Sequence, residues 1–363
     1  MKKIILAFLA IFLFANLYSQ PKPKNVIFLI GDGMGVAQTY AAYIANDKQL
    51  TMYTMPYVGL SITYCANKEV TDSGAGGTAL AIGQKALYGS IGLDSLSNSH
   101  LSLLKIAKNQ GKSTAIITSC DVTHATPASF VANVKDRNQQ DEIALSFIKE
   151  NIDIVIGGGK NRFVSSKRKD KLNLIDSLLS KKYEVYDNLE QIKKSKTDRF
   201  YALLAEGHLD NAKKRGDVLP ESLEKTLDIL SKNENGFFIM LEGSKIDMEA
   251  HLHKYNDMID EVKDFDKCVE VALEFAKKNG ETLIVVTADH ETGGLTLPAD
   301  NNLTKDEWTS WHHTAVPEPN INYGEGTEKF TGVKKNTDVF WNIYKKKKEY
   351  ELVLKELLSM LIF

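Results

Sequence analysis

Cysteine is scarce: Cys65, Cys120 and Cys268 are the three in 363 residues. They stand far apart, their number is odd and no CxxC pair occurs. A disulfide framework is therefore excluded and buried free thiols are expected, with one pairing as the alternative. Basic charge is not in excess either. Lys and Arg total 45 against 47 Asp and Glu, a net −2 that argues against nucleic acid as the main partner. Long apolar runs are also missing. The stretch Ile4 to Phe14 is too short to cross a bilayer, as is the apolar end from Leu352 to Phe363. Lys2 and Lys3 precede the first stretch and small residues near Ala15 and Ser19 follow it. That order reads as a secretory leader over residues 1–20. Its removal takes away two lysines and no acid, moving the charge from −2 to −4. No cysteine lies near the cut to carry a lipid anchor. The mature chain is expected to be exported, periplasmic or secreted.

No repeat period and no linker rich in Pro, Gly or Ser divides what remains. Residues 21–363 are expected to form a single domain. Buried-strand patterns at Asn25–Ile30, Ser113–Thr118, Ile152–Ile156, Gly236–Leu241 and Glu281–Val286 alternate with helical ones. The helical patterns include Leu101–Asn109, Lys169–Leu179, Pro220–Ser231 and an amphipathic Tyr255–Lys278. This alternation predicts an α/β fold with a mostly parallel central sheet covered by helices on both faces. Gly157-Gly158-Gly159 matches no phosphate-binding fingerprint and reads as a loop. The basic run Ser166–Lys169 reads as wet surface, and the lysine-rich span 160–232 offers little chemistry.

Chemistry gathers where strands end. Val70 to Lys85 begins with Thr71-Asp72-Ser73 and continues in small residues of helical character. Ser73 would sit in a helical first turn, where free N–H groups and the dipole favour an anion; the other reading is a simple cap. The glycines leave room for close approach to the backbone. Asp32 lies between glycines after the first strand, as a site carboxylate or a turn former. His124 and Thr126 follow the next strand, with Arg137 beyond. Asp247 and His251 share a helical face, where they could hold one metal or merely bond each other. Glu242 precedes them. Asp289 and His290 stand side by side after the last strand, and His313 comes from a further segment. In a parallel sheet these ends share one edge. Three histidines with oxygen donors suit zinc, and oxygens alone suit magnesium.

Asp32-Gly-Met-Gly35, Thr71-Asp-Ser73, His124-Ala-Thr-Pro127, Glu242-Gly-Ser-Lys-Ile-Asp247 with His251, Thr287-Ala-Asp-His290 and His313-Thr314 occur in an order that resembles the alkaline phosphatases. The resemblance runs from Asn25 to about Gly324. It implies hydrolysis of small phosphate monoesters through a phosphoserine on Ser73, at two zinc ions and one magnesium. Asp247, His251 and His313 match the first zinc site; Asp289 and His290 match the second. Asp32 bridges the second zinc to a third metal that Thr126 and Glu242 also match, and Arg137 matches the phosphate clamp. Asp72 and His124 would support ligands rather than bind metal themselves.

His124 and Met248 depart from some bacterial members, which carry Asp and Lys there, so the third metal's identity stays open. Loss of that lysine leaves Arg137 as the main basic contact to phosphate. His312 rivals His313, and the His-Thr match favours His313. His100, His208 and His253 read as ordinary surface or loop residues. The resemblance is compatible with a homodimer carrying little surface decoration. Two other readings remain at this level: a phosphodiesterase of the same superfamily, and an exported metal- or phosphate-binding protein without turnover. Ser73-Gly-Ala-Gly-Gly77 lacks the C/S-x-P-x-R pattern of sulfatases.

Overall fold

The computed structural model describes residues 23–298 and 307–344. The expected leader and the apolar C-terminal segment lie outside those residues. The described residues form fourteen strands. They are β1 (Asn25–Gly31), β2 (Tyr57–Ile62), β3 (Ser113–Asp121), β4 (Ile154–Gly158), β5 (Glu184–Tyr186), β6 (Phe200–Leu203), β7 (Phe237–Gly243) and β8 (Thr282–Thr287), then the two-residue strands β9 (Glu291–Thr292), β10 (Leu295–Thr296), β11 (Glu307–Trp308) and β12 (His313–Thr314), and last β13 (Glu318–Tyr323) and β14 (Gly332–Lys335).

The described residues build a ten-stranded sheet in the order β14-β2-β13-β8-β1-β7-β3-β4-β6-β5. Its pairings are parallel except at β13, which runs antiparallel to both β2 and β8. Between β8 and β13 no crossover helix occurs among the described residues, so the chain returns in the opposite sense. The sheet is buried on both sides, as the continuous apolar strand runs require. Alternate residues of β1 show this directly: Ile27 and Leu29 enter one core, Val26, Phe28 and Ile30 the other. The mostly parallel α/β architecture expected from the sequence is the one found.

The longest helix among the described residues, Tyr255–Asn279, ends at Gly280 in the left-handed region. Its expected inner stripe of Met258, Val262, Phe265, Val269 and Leu273 is buried in the first core. Leu103–Asn109, Leu174–Ser180 and Val218–Leu230 are helical within a few residues of the expected bounds.

Three readings need correction. Gly157 and Gly158 finish β4 instead of forming a loop, pairing with Leu203 and Asp121, and a Cβ at Gly158 would sit 1.9 Å from the Gly207 carbonyl. Arg168 in the basic run is buried, its guanidinium held by Asp170 and the carbonyls of Arg162 and Asp141. The span 160–232 also hides β5 and β6, which extend one end of the sheet. Cys65, Cys120 and Cys268 are all buried and free. Among the described residues no helix is long and apolar enough to cross a membrane.

Candidate active site

Four neighbouring parallel strands, β8, β1, β7 and β3, deliver most of the expected residues to one edge. Ile30 pairs with both Glu242 and Thr287, and Thr118 with Glu242, so the segments that follow start level with one another. Asp32, Glu242, Asp289 and His290 are fully buried there, a placement that packing alone does not favour for charged groups.

The helix Ser73–Ile82 resolves the choice between cap and site residue. Asp72 is its cap, accepting from the N–H groups of Gly74 (3.2 Å) and Ala75 (3.1 Å). Ser73 is thereby released from capping, and its Oγ stands 3.2 Å from His290 Nε2. Asp72 also accepts from Gly89 N–H at 2.9 Å and from Arg137 Nη1 at 2.8 Å. That ion pair, with Arg137 N–H donating to the Gly89 carbonyl, fixes the guanidinium at the mouth of the site. What approaches the small-residue face closely is the protein itself. A Cβ at Gly76 would lie 2.7 Å from the Asp289 carbonyl, and one at Gly77 3.2 Å from Thr126 Cα.

Asp247, His251 and His313 form one set. His251 Nε2 is 3.3 Å from Asp247 Oδ1 and 3.0 Å from His313 Nε2, which is itself 3.5 Å from Asp247 Oδ1. Each ring is oriented from behind: His251 Nδ1 lies 2.9 Å from the Trp311 carbonyl and His313 Nδ1 2.9 Å from that of Thr71. Since a carbonyl only accepts, both Nδ1 atoms carry a proton, and the Nε2 atoms are the ones turned toward the site. His312, the rival, sends its carbonyl to Gly293 N–H and lines the cleft, as His313 does, and it is His313 whose Nε2 meets His251 and Asp247.

A second set joins Asp32, Asp289 and His290, with one ligand atom from each within 4.8 Å of the others. Asp289 Oδ1 accepts from the N–H groups of Gly33 (3.3 Å) and His290 (3.1 Å). Its Oδ2 is 3.4 Å from the Thr126 hydroxyl, which donates. Thr292, which sequence reasoning missed, donates its hydroxyl to Asp247 Oδ1 and lies 3.3 Å from His290 Nδ1. It links the two sets.

The third region contains Glu242, Thr126, His124 and Cys120. Thr118 donates to Glu242 Oε2 at 2.5 Å, and Ser244 stands 2.7 Å from Thr118 Oγ1. Cys120, His124 and Glu242 form a further group whose ligand atoms lie within 4.8 Å of one another. Neither Thr118 nor Cys120 carried a sequence signal, being ordinary members of an apolar strand. His208 is an exposed loop residue, as expected, whose ring packs edge-on against His124, at 5.5 Å between ring centres. His253 stacks on Trp311 and Trp308, and His100 pairs with Asp94.

Burial, then the neighbouring carboxylates Asp289, Asp247 and Glu242, pushes Asp32 well above the usual carboxylate range. Burial, Asp247 and Glu242 raise Asp289 to about 8. Burial drives His290 well down and His124 to about 3, so both rings are neutral lone-pair donors. Both oxygens of Asp32, one of Glu242 and Nδ1 of His124 are buried without hydrogen-bond partners. Clustered, unpartnered carboxylates and neutral imidazoles are the donor set that divalent cations satisfy. The residues fit such ions. Beside them opens a cleft of about 330 Å³ lined by Ser73, Tyr88, Arg137, Met248 and His312.

Comparison with known proteins follows the same line. The family model described as alkaline phosphatase matches residues 23–351. Alkaline phosphatase 4 of Bacillus subtilis is 36% identical over 80% of this chain and 64% of its own length. Alkaline phosphatase 3 of the same organism gives 36% over 78% and 64%. The chain thus spans somewhat less than two thirds of those curated relatives. The solved alkaline phosphatase of the Antarctic bacterium TAB5 is 34% identical, with a TM-score of 0.84 over 89% of this chain and 98% of that one. A variant of the TAB5 protein has been solved with magnesium in its M3 site.

Proposed function

The chain belongs to the alkaline phosphatase family, and from that premise we propose that it hydrolyses phosphate monoesters through a phosphoserine on Ser73. The observation that carries this reading is Ser73 Oγ, freed by the Asp72 cap and set beside His290 within reach of the Arg137 cleft. Asp247, His251 and His313 would hold one zinc; Asp289 and His290 a second, with Asp32 shared; Asp32, Thr126 and Glu242 a third cation, for which oxygen donors suit magnesium. When bound, these cations would lower the pKa of the serine hydroxyl and stabilise charge on the entering and leaving oxygens.

The chain's own groups do the rest. Arg137 presents a fork to two phosphoryl oxygens, and the Asp72 ion pair holds it there before substrate arrives. The Gly74 and Ala75 N–H groups are taken up by the Asp72 carboxylate, so the helix start would act on that anion through its dipole. Ser73 Oγ gives up its proton and bonds to phosphorus as the ester P–O bond breaks, and the leaving oxygen takes up a proton to depart as the alcohol. Water then cleaves the phosphoserine, releasing phosphate and restoring the hydroxyl. The same reading takes 21–363 as one catalytic unit, exported by the leader over residues 1–20 and compatible with a homodimer.

Hydrolysis rates for p-nitrophenyl phosphate and its bis ester test it. The monoester is expected to turn over far faster and the Ser73→Ala variant to lose that activity. Preference for the diester, or undiminished activity in Ser73→Ala, would reject the reading.

A further inference from the structure

We propose that the third cation set of this chain contains a sulfur donor, with Cys120 Sγ joining His124 and Glu242 in a site that prefers zinc or cobalt to magnesium. The inference rests on reading that pocket as a cation site, and it departs from an all-oxygen ligand set. Cys120 is fully buried at the end of β3, with Sγ 3.4 Å from Glu242 Oε2 and 3.1 Å from Thr118 Oγ1. Ligand atoms around a tetrahedral zinc lie about 3.3–3.8 Å apart, given bonds of about 2.0–2.3 Å. The sulfur–oxygen spacing meets that. His124, at the cap of the helix Ala125–Ser129, brings a ligand nitrogen within 4.8 Å of both partners.

One observation independent of the cysteine points to a ligand: Glu242 Oε1 is fully buried without a hydrogen-bond partner. His124 Nε2 accepts from Arg137 Nη2 at 3.3 Å, so Nε2 is the nitrogen that holds a lone pair. Among the described residues, Cys65 and Cys268 belong to no such group. Cys268 donates to the Asp264 carbonyl of its own helix, and Cys65 lies against the carbonyls of Lys68 and Val70. A nitrogen–sulfur–oxygen set suits borderline cations, whereas magnesium takes oxygen ligands and resists thiolate. In the cation-free chain the Cys120 thiol lies 3.2 Å from the Asp121 carbonyl and 3.4 Å from Glu242 Oε2, with both as acceptors. On binding, the S–H bond breaks, the proton leaves to solvent and sulfur bonds the cation.

Cobalt titration of the metal-stripped full chain tests this without reference to turnover. The third equivalent bound is expected to bring a near-ultraviolet sulfur-to-cobalt charge-transfer band. That band is expected to vanish in Cys120→Ser and to persist in Cys65→Ser and Cys268→Ser. Dialysis of the cobalt-loaded protein against excess magnesium should leave the third cobalt in the unsubstituted chain and remove it from Cys120→Ser. A third equivalent bound with no band in the unsubstituted protein overturns the inference and leaves the wider reading standing, whether or not the variant folds. A band that survives in Cys120→Ser, or a third cobalt that magnesium displaces from the unsubstituted chain, overturns it as well. Failure of the unsubstituted chain to take up any third equivalent removes the site itself, and this inference with it.

Discussion

At the scale of single residues, the site separates groups that would react from groups that hold them. Thr292 is of the second kind: its hydroxyl donates to Asp247 and faces His290 Nδ1, so it aligns ligands of two cation sets. Partners of this sort typically contribute about 10–100-fold in metal affinity or activity. Thr292→Val should therefore lower the chelator concentration that strips the protein by about that factor, while Thr292→Ser restores it. Equal resistance to chelation in Thr292→Val would show the hydroxyl to be idle. Met248 gives a second prediction. It lines the cleft where some bacterial members carry lysine, so Met248→Lys should tighten product inhibition by phosphate roughly tenfold, about 1.5 kcal/mol for one added charged contact. An unchanged inhibition constant would contradict it. Asp32, Asp247, Asp289 and the histidines were legible from sequence because charged residues just past buried strands have no packing reason to be there. Thr292 and Cys120 were not, since threonine and cysteine are common near strands and only contact reveals their partners.

At the scale of elements, the Ser73 helix is placed by what it lacks. Without a Cβ at Gly76 it closes on the Asp289 carbonyl, and this contact holds the serine against the second cation set. Gly76→Ala would introduce a carbon 2.7 Å from that oxygen, and backbone on both sides gives way reluctantly. Overpacking of this kind costs about 1–3 kcal/mol. A lower thermal midpoint together with weaker binding of the second cation is the expected outcome, followed by calorimetry and metal analysis. Retention of both would mean that the helix can retreat without disturbing the site. The sequence signalled this helix through its small residues, and those residues meet the protein's own loop. Long periodic elements such as Tyr255–Asn279 were readable because a stripe of five apolar residues has one helical solution. The outermost strands, β14 and β2 at one end of the sheet and β6 and β5 at the other, were not. They are short or set among lysines, and β2 finds its partners β13 and β14 far away in sequence.

At the scale of the whole molecule, the sheet gathers carboxylates that repel one another, so stability and cation content are coupled. In the cation-free chain Asp289 titrates near 8 against an ordinary 3.8, and Asp32 and Glu242 are raised as well. Raised values mean that the folded form holds more protons than the unfolded one between about 4 and about 8. The cluster's contribution is complete below the unfolded value and is lost as pH rises through the folded one. Bound cations take the protons' place. The gap in thermal midpoint between loaded and stripped protein should therefore widen from about pH 5 to about pH 8, and a gap that narrows would contradict the coupling.

Trapping of the covalent state tests the central claim most directly. Protein mixed with p-nitrophenyl phosphate, quenched in acid and digested should carry a phosphoryl group on the peptide containing Ser73. The Ser73→Ala protein should carry none. A phosphoryl group found on any other residue, or steady turnover in Ser73→Ala, would contradict the account.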